Sequence, residues 1–581
     1  MRKTKIVCTL GPATDSPEVM RGLILAGMNV ARLNMSHQEH ETHHRRAALV
    51  KSVREELGLP VALLVDTKGP EIRLGTFETD KVELKAQDLF TLTTEECVGD
   101  SRRAYINYAQ LPQDVSRGDR ILIDDGLIEL KVEHLNETEI ECRVISGGTV
   151  SARKGVNVPD VHLSMPFMND RDRADIRFAV EEGADFIAAS FVRCADDVLQ
   201  IRAELEKNND HEIRIISKIE NAEGVANLEE ILKVSDGIMV ARGDMGVEIA
   251  MEELPSIQKR MIRMGYMAGL QVITATQMLE SMIKNPRPTR AEVTDVANAI
   301  YDGTSAIMLS GETAVGAYPV ETVRTMARIA ERTERDIDYK KRFSERGVRP
   351  EDATVTNAIS HATVMTAHDM GAAAILAITK SGMTARTISK FRPECPIICC
   401  TTSETARRQM NLSWGVLPIM GQEQDNMDTL FDHAVDCAVR AGLLKNGDLA
   451  VITAGSPLGV SGTTNLLKVH LVGNILVQGT GVTTRSVCGN LCVAETLQEA
   501  KKRFCSGDIL VVPATDNRFL PLIREAAGVV TEADGMNSHA AVVGMALDKP
   551  VLVGAKNATK LLKNGTTVTL DAESGAVLCK K

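Results

Sequence analysis

The chain has 581 residues, 44% hydrophobic and 25% charged, which are ordinary values for a globular protein and give length enough for several cored domains. A formal net charge of −11 leaves no basic excess to neutralise a nucleic-acid backbone or an anionic membrane, although a small anionic substrate stays open if cations gather in one cleft. The twelve cysteines are scattered without a repeating framework, and their closest groupings lack the paired C-x-x-C spacing of a structural zinc site, so they read as buried, reduced thiols in a cytoplasmic protein.

The opening stretch, Met1 to Leu10, is basic with only a short apolar run before Gly11-Pro12, so it reads as neither signal peptide nor membrane span. From there, short apolar runs alternate with helical patterns. Strands are predicted at Lys5–Thr9, Met28–Leu33, Val61–Asp66, Phe186–Phe191, Ile213–Ile219, Gly237–Ala241, Val272–Ala275 and Ala306–Leu309. Eight strand–helix units predict a closed (β/α)8 barrel over residues 1–68 and 171–345; an open doubly wound sheet would lack its G-x-G-x-x-G fingerprint.

Between the third and fourth strands, residues 69–170 change texture. Segments such as Arg120-Ile-Leu-Ile-Asp-Asp-Gly alternate polar and apolar residues, predicting a small inserted β domain (a β-barrel lid) in a loop where this fold carries its active site. A C-terminal α/β domain is predicted over 346–473, beginning near Arg349, with strands at Ala373–Thr379, Pro396–Thr401, Gly415–Ile419 and Leu449–Thr453. The Gly/Thr-rich run Gln478-Gly-Thr-Gly-Val-Thr-Thr reads as a linker to an extra domain ending at Lys581.

The C-terminal ends of the barrel strands converge chemically. They deliver Arg32, Asn34, Ser36 and His37; Asp66, Thr67, Glu71 and Arg73; Lys218 and Glu220; Arg242, Gly243 and Asp244; Thr276; and Ser310 and Glu312. Lys218 and Glu220 stand two apart, so on a strand they leave one face, and burying the pair is costly unless a ligand or metal satisfies it. Glu220 and Asp244 offer hard oxygens for Mg2+ or Mn2+, while Arg32, Arg73 and Lys218 can neutralise a transferring phosphoryl group. Backbone N–H groups after Gly243 open a helix suited to an anionic substrate. Asn34, Ser36, Asp66 and Thr67 present oxygens that could cage a monovalent cation.

These residues lie in motifs that resemble pyruvate kinase: Asn29-Val-Ala-Arg-Leu-Asn-Met-Ser-His37, Asp66-Thr-Lys-Gly-Pro-Glu-Ile-Arg73, Ser217-Lys-Ile-Glu-Asn221, Met239-Val-Ala-Arg-Gly-Asp244, Ala275-Thr-Gln-Met-Leu-Glu-Ser-Met282, Asn285-Pro-Arg-Pro-Thr-Arg-Ala-Glu292 and Met308-Leu-Ser-Gly-Glu-Thr313. The resemblance runs from Thr4 to about Val472. It implies an allosteric, glycolytic enzyme that transfers a phosphoryl group from phosphoenolpyruvate to ADP, forming pyruvate and ATP, with Mg2+ or Mn2+ on Glu220 and Asp244 and K+ on Asn34, Ser36, Asp66 and Thr67. It implies that Lys218 stabilises the phosphoryl group and the enolate, that Thr276 helps a water protonate the enolate, and that Gly243 and Asp244 meet the substrate. Arg32, Asn34, His37 and Arg73 would serve the nucleotide, Glu71 would accompany K+ dependence, and a homotetramer is implied. The resemblance departs at Cys194, where many relatives carry a basic residue that reaches the nucleotide.

Thr379-Lys-Ser-Gly-Met-Thr384 lies between a strand and a helix, as a phosphate cradle or a plain capping turn would; the resemblance makes it the effector loop, with Thr379, Lys380, Ser381, Gly382 and Thr384 binding AMP or a sugar phosphate. The extra domain, 474–581, contains Asp534-Gly-Met-Asn-Ser-His539 and resembles the swivelling phosphohistidine domain of phosphoenolpyruvate synthases. Asp534 and Asn537 depart from that pattern, which favours a structural or regulatory remnant over a phosphorylated His539. His40-Glu-Thr-His-His44 matches the H-E-x-x-H zinc pattern but no third ligand suggests itself, and Trp414 reads as core. A catalytically dead phosphate-sensing scaffold and a dikinase are the alternatives. Retention of Lys218, Glu220, Asp244 and Thr276 opposes the first, and the want of an ATP-grasp domain opposes the second.

Overall fold

The computed structural model describes residues 1–345, 354–457, 464–473 and 475–579. The predicted start near Arg349, the boundary at residue 474 and the terminal Lys581 lie outside the described residues. Eight parallel strands, β1 (Lys5–Thr9), β2 (Val30–Asn34), β3 (Ala62–Asp66), β4 (Phe186–Ala189), β5 (Arg214–Ile219), β6 (Gly237–Ala241), β7 (Gln271–Ala275) and β8 (Ala306–Leu309), pair each with the next and β8 with β1. The barrel is closed, as the alternation of strands and helices predicted.

Period-two alternation divides each strand between two cores. Val7, Val30, Leu64, Phe186, Ile216 and Met239 gather with Leu412 in one buried cluster, while Ile6, Leu33, Leu63, Ile187, Ile215 and Ile238 join the surrounding helices in another. The helices start where the sequence supplies caps: Asn169 and Thr289 each form a capping box with the residue three positions on, Asp172 and Glu292. Gly237 is required on β6, because a Cβ there would lie 2.6 Å from Ile216 Cδ1 and 2.7 Å from the Gln271 carbonyl.

Within residues 69–170 the strands form a mostly antiparallel seven-stranded sheet, from Ile72–Arg73 to Gly155–Asn157 in the chain, and a separate ribbon of Val82–Leu84 with Gly148–Val150. Phe90, Leu92, Ile121, Leu130 and Ile140 make its own core.

The chain forms two compact units. One comprises Met1–Gly347 with Lys380–Pro393 and Ser403–Pro418; the other comprises Val348–Thr379, Glu394–Thr402 and Ile419–Lys581. In the second unit, strands Ala374–Ile378, Ile397–Thr401 and Leu449–Gly455 are parallel, and Thr464–Leu471 adds an antiparallel edge that the sequence reading missed because its residues are only half-buried. The extra domain is an eight-stranded mixed sheet with a parallel centre.

The predicted linker at 478–484 is corrected here. Ile475–Gln478 and Thr480–Gly481 are strands at opposite edges of that sheet, and the glycines serve close approach rather than flexibility: a Cβ on Gly481 would lie 1.6 Å from the Ala572 carbonyl oxygen. The cysteines also differ from expectation. Cys488, Cys505 and Cys579 are exposed, and none of the twelve forms a disulfide.

One buried charge ties helix Glu404–Met410 to the barrel. Asp185 is fully buried before β4 and accepts from the Leu63 N–H at 2.8 Å and from Arg408 Nε at 2.8 Å. Burial pushes its carboxyl above the usual range, and Arg408 opposes that push. Arg408→Ala leaves the carboxylate without its cation and is expected to destabilise this unit by about 3–5 kcal/mol. The measurement is the urea midpoint followed by tryptophan fluorescence, and an unchanged midpoint would refute the role.

Candidate active site

The rim residues converge through one buried chain of charges. Arg32, near the end of β2, donates through Nε to Asp66 Oδ2 at 2.6 Å and through Nη1 to Thr9 Oγ1 at 2.8 Å. The other Asp66 oxygen accepts from Lys218 Nζ at 3.1 Å and from the Ser190 hydroxyl at 3.2 Å. Lys218 also donates to Ser190 Oγ at 2.7 Å, and its Nζ stands 3.0 Å from Glu220 Oε1. All four charged groups are buried, and Glu220 is 1% exposed.

The pKa directions follow from this geometry. Burial works to raise the Asp66 carboxyl, but Arg32 and Lys218 outweigh it and hold it below the usual range. Burial alone would lower Lys218; Asp66 and Glu220 reverse that and raise it, so the ammonium stays charged. For Glu220 burial wins against Lys218, and with Asp244 adding repulsion its carboxyl is pushed up to about 7.

Lys218 and Glu220 thus stand as a close buried pair. The pair is nevertheless incomplete. Glu220 Oε2 accepts from the Phe191 N–H at 2.6 Å, whereas Oε1, though 3.0 Å from Nζ, has no N–H or O–H aligned on it. A buried carboxylate oxygen so placed suits a cation. Among the described residues no three His, Cys, Asp or Glu groups have metal-holding geometry, so a divalent ion here would draw on Glu220 and Asp244 and take its remaining oxygens from substrate and water.

Glu220 and Asp244 open into a cavity of about 720 Å3 lined also by Glu71, Arg73, Asp124, Lys154, Phe191 and Arg193, which places the inserted β domain over the barrel mouth. Arg73 reaches this cavity tied to Glu71 by two hydrogen bonds, at 2.9 and 3.0 Å. Arg32, Asn34, Ser36, His37, Thr67, Lys218, Gly243 and Thr276 do not line it. Asn34 Oδ1 accepts from the Ser36 N–H at 3.2 Å, the Thr67 hydroxyl donates to the Ala188 carbonyl at 3.4 Å, and His37 is exposed. Cys194 is the N-cap residue of helix Ala195–Lys207 and makes no side-chain cap bond.

Two strained turns frame the rim. Phe191 after β4 has φ +56°, and Thr276 and Gln277 after β7 have φ +66° and +52°. A β-branched residue in the left-handed region costs on the order of 1–3 kcal/mol and persists only where its surroundings hold it. Arg242 does the holding: its guanidinium donates to the Ala275 carbonyl at 3.1 Å and the Thr276 carbonyl at 2.5 Å, and Asp295 receives it at 2.7 Å. The turned Thr276 hydroxyl accepts from the Gly243 N–H at 2.9 Å at the start of helix Arg242–Glu248. Ser190 and Asp295 were missed as functional residues: the only signal for Ser190 was its place after a strand, and Asp295, inside helix Arg290–Asp302, carried none.

The other motifs separate. His40 pairs with Asp175 at 2.7 Å, His43 bonds the His37 carbonyl at 2.8 Å, and His44 pairs with Glu182, so the H-E-x-x-H residues serve three different partners. Trp414 is buried against Tyr339, with Arg392 4.7 Å from its ring centre. Of the effector loop, Thr379 ends the parallel strands of the second unit, its N–H donating to the Cys400 carbonyl at 3.1 Å. In the first unit Lys380 and Ser381 line a cavity of about 400 Å3 with Arg202, Arg214 and Arg386. Gly382 caps helix Met383–Lys390 at φ +77°, and Thr384 is buried. His539 is held on both ring nitrogens, by Thr515 Oγ1 at 3.0 Å and Asn517 Oδ1 at 3.1 Å.

Three family models match the chain: pyruvate kinase, barrel domain, over residues 1–323; pyruvate kinase, alpha/beta domain, over 357–470; and PEP-utilising enzyme, mobile domain, over 504–575. It is 50% identical over 578 residues to a pyruvate kinase of Geobacillus stearothermophilus, covering 99% of this chain and 98% of that one. It is 47% identical over 579 residues to a pyruvate kinase of Staphylococcus aureus, covering 99% of each. A solved pyruvate kinase from Cryptosporidium parvum superposes with TM-score 0.77 at 40% identity, over 81% of this chain and 96% of that one.

Asp295→Ala frees Arg242 and lets the Thr276 turn relax. Turnover is expected to fall about 100-fold, the cost of roughly ångström-scale misplacement, with the far-ultraviolet spectrum unchanged. Undiminished turnover would remove the clamp from the catalytic machinery.

Proposed function

The chain belongs to the pyruvate kinase family, and from that premise we propose that it transfers the phosphoryl group of phosphoenolpyruvate to ADP at the rim of Lys218, Glu220 and Asp244, yielding pyruvate and ATP in the final ATP-forming step of glycolysis. The observation that carries this reading is the buried Lys218–Glu220 pair, with one carboxylate oxygen left unaligned beside a large polar cavity.

Glu220 and Asp244 would hold Mg2+ or Mn2+, which when bound neutralises phosphate charge and aligns the reacting oxygens. Lys218 keeps its ammonium charged among Asp66 and Glu220 and so carries positive charge where the phosphoryl group leaves and enolate charge grows. Arg73, at the cavity wall, and Arg32, behind Asp66, add cations for the nucleotide and phosphoryl oxygens, with Asn34 and His37 beside them. Gly243 and Asp244 meet the substrate at the helix start. Thr276, whose hydroxyl already accepts from the Gly243 N–H, positions the water that protonates the enolate.

Asn34, Ser36, Asp66 and Thr67 would hold K+. Their amide, hydroxyl and carboxylate oxygens fit that ion, and Asp66 would share lone pairs not spent on Arg32, Lys218 and Ser190. Glu71 goes with this dependence. A phosphorylated effector, AMP or a sugar phosphate, binds at Thr379, Lys380, Ser381, Gly382 and Thr384, supported by the arginines around Lys380 and Ser381. The protein works as a cytoplasmic homotetramer. No helix among the described residues is long and apolar enough to cross a membrane. His539, held on both sides, serves the extra domain structurally.

A lactate dehydrogenase-coupled assay with phosphoenolpyruvate and ADP tests the activity. Lys218→Met is expected to abolish turnover while the fold remains intact; near-normal turnover would refute its role. Omitting K+ from the same assay is expected to cut the rate severely, and equal rates would remove the cage.

Metal affinity should also follow pH. Glu220 binds a proton up to about pH 7, well above an ordinary glutamate, so a divalent ion competes with that proton below pH 7 and binds freely above it. The apparent Mn2+ dissociation constant, read by electron paramagnetic resonance, is expected to rise up to about tenfold per unit as pH falls from 7 to 5.5. A flat profile would refute the raised proton affinity of Glu220 as a control on metal binding.

A further inference from the structure

On helix Met427–Arg440, His433, Cys437 and Arg440 are spaced by four and three residues and share one face. Strand Ile397–Thr401 packs on that helix and sets the Cys400 thiol beside Cys437. His433 Nε2 lies 3.4 Å from Cys437 Sγ, and Arg440 Nη2 donates to the same sulfur at 3.1 Å. The Gln422 N–H donates to His433 Nε2 at 2.9 Å, so this nitrogen carries a lone pair beside the thiol and acts as its base by exchanging the Gln422 N–H for the thiol proton.

Gly421 makes room for the meeting. A Cβ there would lie 2.6 Å from Cys400 Sγ and 3.8 Å from His433 Cδ2. Cys400 is 4% and Cys437 8% exposed, so the opening admits only a very small reactant.

A thiol with a base on one side, a guanidinium on the other and a second thiol in contact has the parts of a thiol redox centre. We propose that Cys437 and Cys400 form a peroxide-reactive dithiol site, with Cys437 the attacking thiol and Cys400 the resolving one. Cys437 passes its proton to His433, and Arg440 steadies the thiolate. The thiolate sulfur attacks one peroxide oxygen; the O–O bond breaks, the departing hydroxide takes the proton from His433 to leave as water, and Cys437 is a sulfenic acid. Cys400 sulfur then attacks Cys437 sulfur, the S–O bond breaks, and the Cys400 proton leaves with the hydroxyl as a second water. Two thiols are oxidised to one disulfide and one hydrogen peroxide is reduced to two waters; an external dithiol reverses the change by exchange.

The test treats the reduced full chain with hydrogen peroxide, quenches with N-ethylmaleimide and maps peptides without reduction. A Cys400–Cys437 link is expected, with tandem fragmentation separating Cys400 from Cys399. Cys400→Ser is expected to leave a dimedone adduct on Cys437, and Cys437→Ser to leave Cys400 a free thiol. Arg440→Gln is expected to slow link formation about fivefold or more through the thiolate fraction. Turnover with phosphoenolpyruvate and ADP reports that each variant is folded. Oxidation confined to the exposed Cys488, Cys505 and Cys579 would overturn the proposal, as would a wild-type chain whose Cys437 is oxidised without linking to Cys400.

Discussion

The site depends on one constraint: four charges, Arg32, Asp66, Lys218 and Glu220, are buried together at the barrel mouth. Each ion taken from water costs several kcal/mol, and the cost is met only when every lone pair and proton finds a partner. Asp66 meets it by accepting from Arg32, Lys218 and Ser190 at once. Glu220 does not. One oxygen has the Phe191 N–H and the other has only an unaligned ammonium, and burial with Asp244 repulsion outweighs both, so its proton affinity rises while that of Asp66 falls. The asymmetry separates the two carboxylates: Asp66 is matched by cations within the site, and Glu220 is left short of a positive partner.

Barrel geometry explains how such a cluster is reached from distant parts of the chain. Parallel pairing sets Asn34 against Asp66 and Asp66 against Ala188, so the groups that follow β2, β3 and β4 emerge at one level. The turns after β4 and β7 then bend against local preference, with Phe191 and Thr276 in left-handed backbone. The first turn aims the Phe191 N–H at Glu220, and the second aims the Thr276 hydroxyl at the Gly243 N–H. Strain of this kind fixes donors before any ligand arrives.

What was legible in the sequence follows from where its signal is written. Burial on both faces makes barrel strands into apolar runs, so all eight were readable, and their ends carried the polar groups that identified the rim. Strand Thr464–Leu471 lacked that signal because it is an edge with half-buried residues. The Lys218–Glu220 spacing was readable, but not that the two would close to 3.0 Å, since that distance depends on Asp66 and Ser190 arriving from other strands. Asp295 was invisible for the same reason. It lies in the middle of an ordinary capped helix, and only the fold sets it against Arg242. Glycine was the most ambiguous letter, because the pattern that permits a flexible linker is the one that permits backbones to touch.

The extra domain applies that point to a histidine. In the sequence His539 stands in a motif that resembles a phosphoryl carrier, and its place at the first position of helix His539–Ala546, after the Ser538 cap, keeps that appearance. A carrier histidine needs one nitrogen with a lone pair open to the incoming phosphorus. Here Nδ1 meets the Thr515 hydroxyl and Nε2 meets Asn517 Oδ1, an acceptor that requires the proton on Nε2. The remaining lone pair, on Nδ1, then faces the Thr515 hydroxyl as donor. Both nitrogens meet neighbours that lie 22 and 24 residues away in the chain, and the ring links residues 515–517 to the helix start.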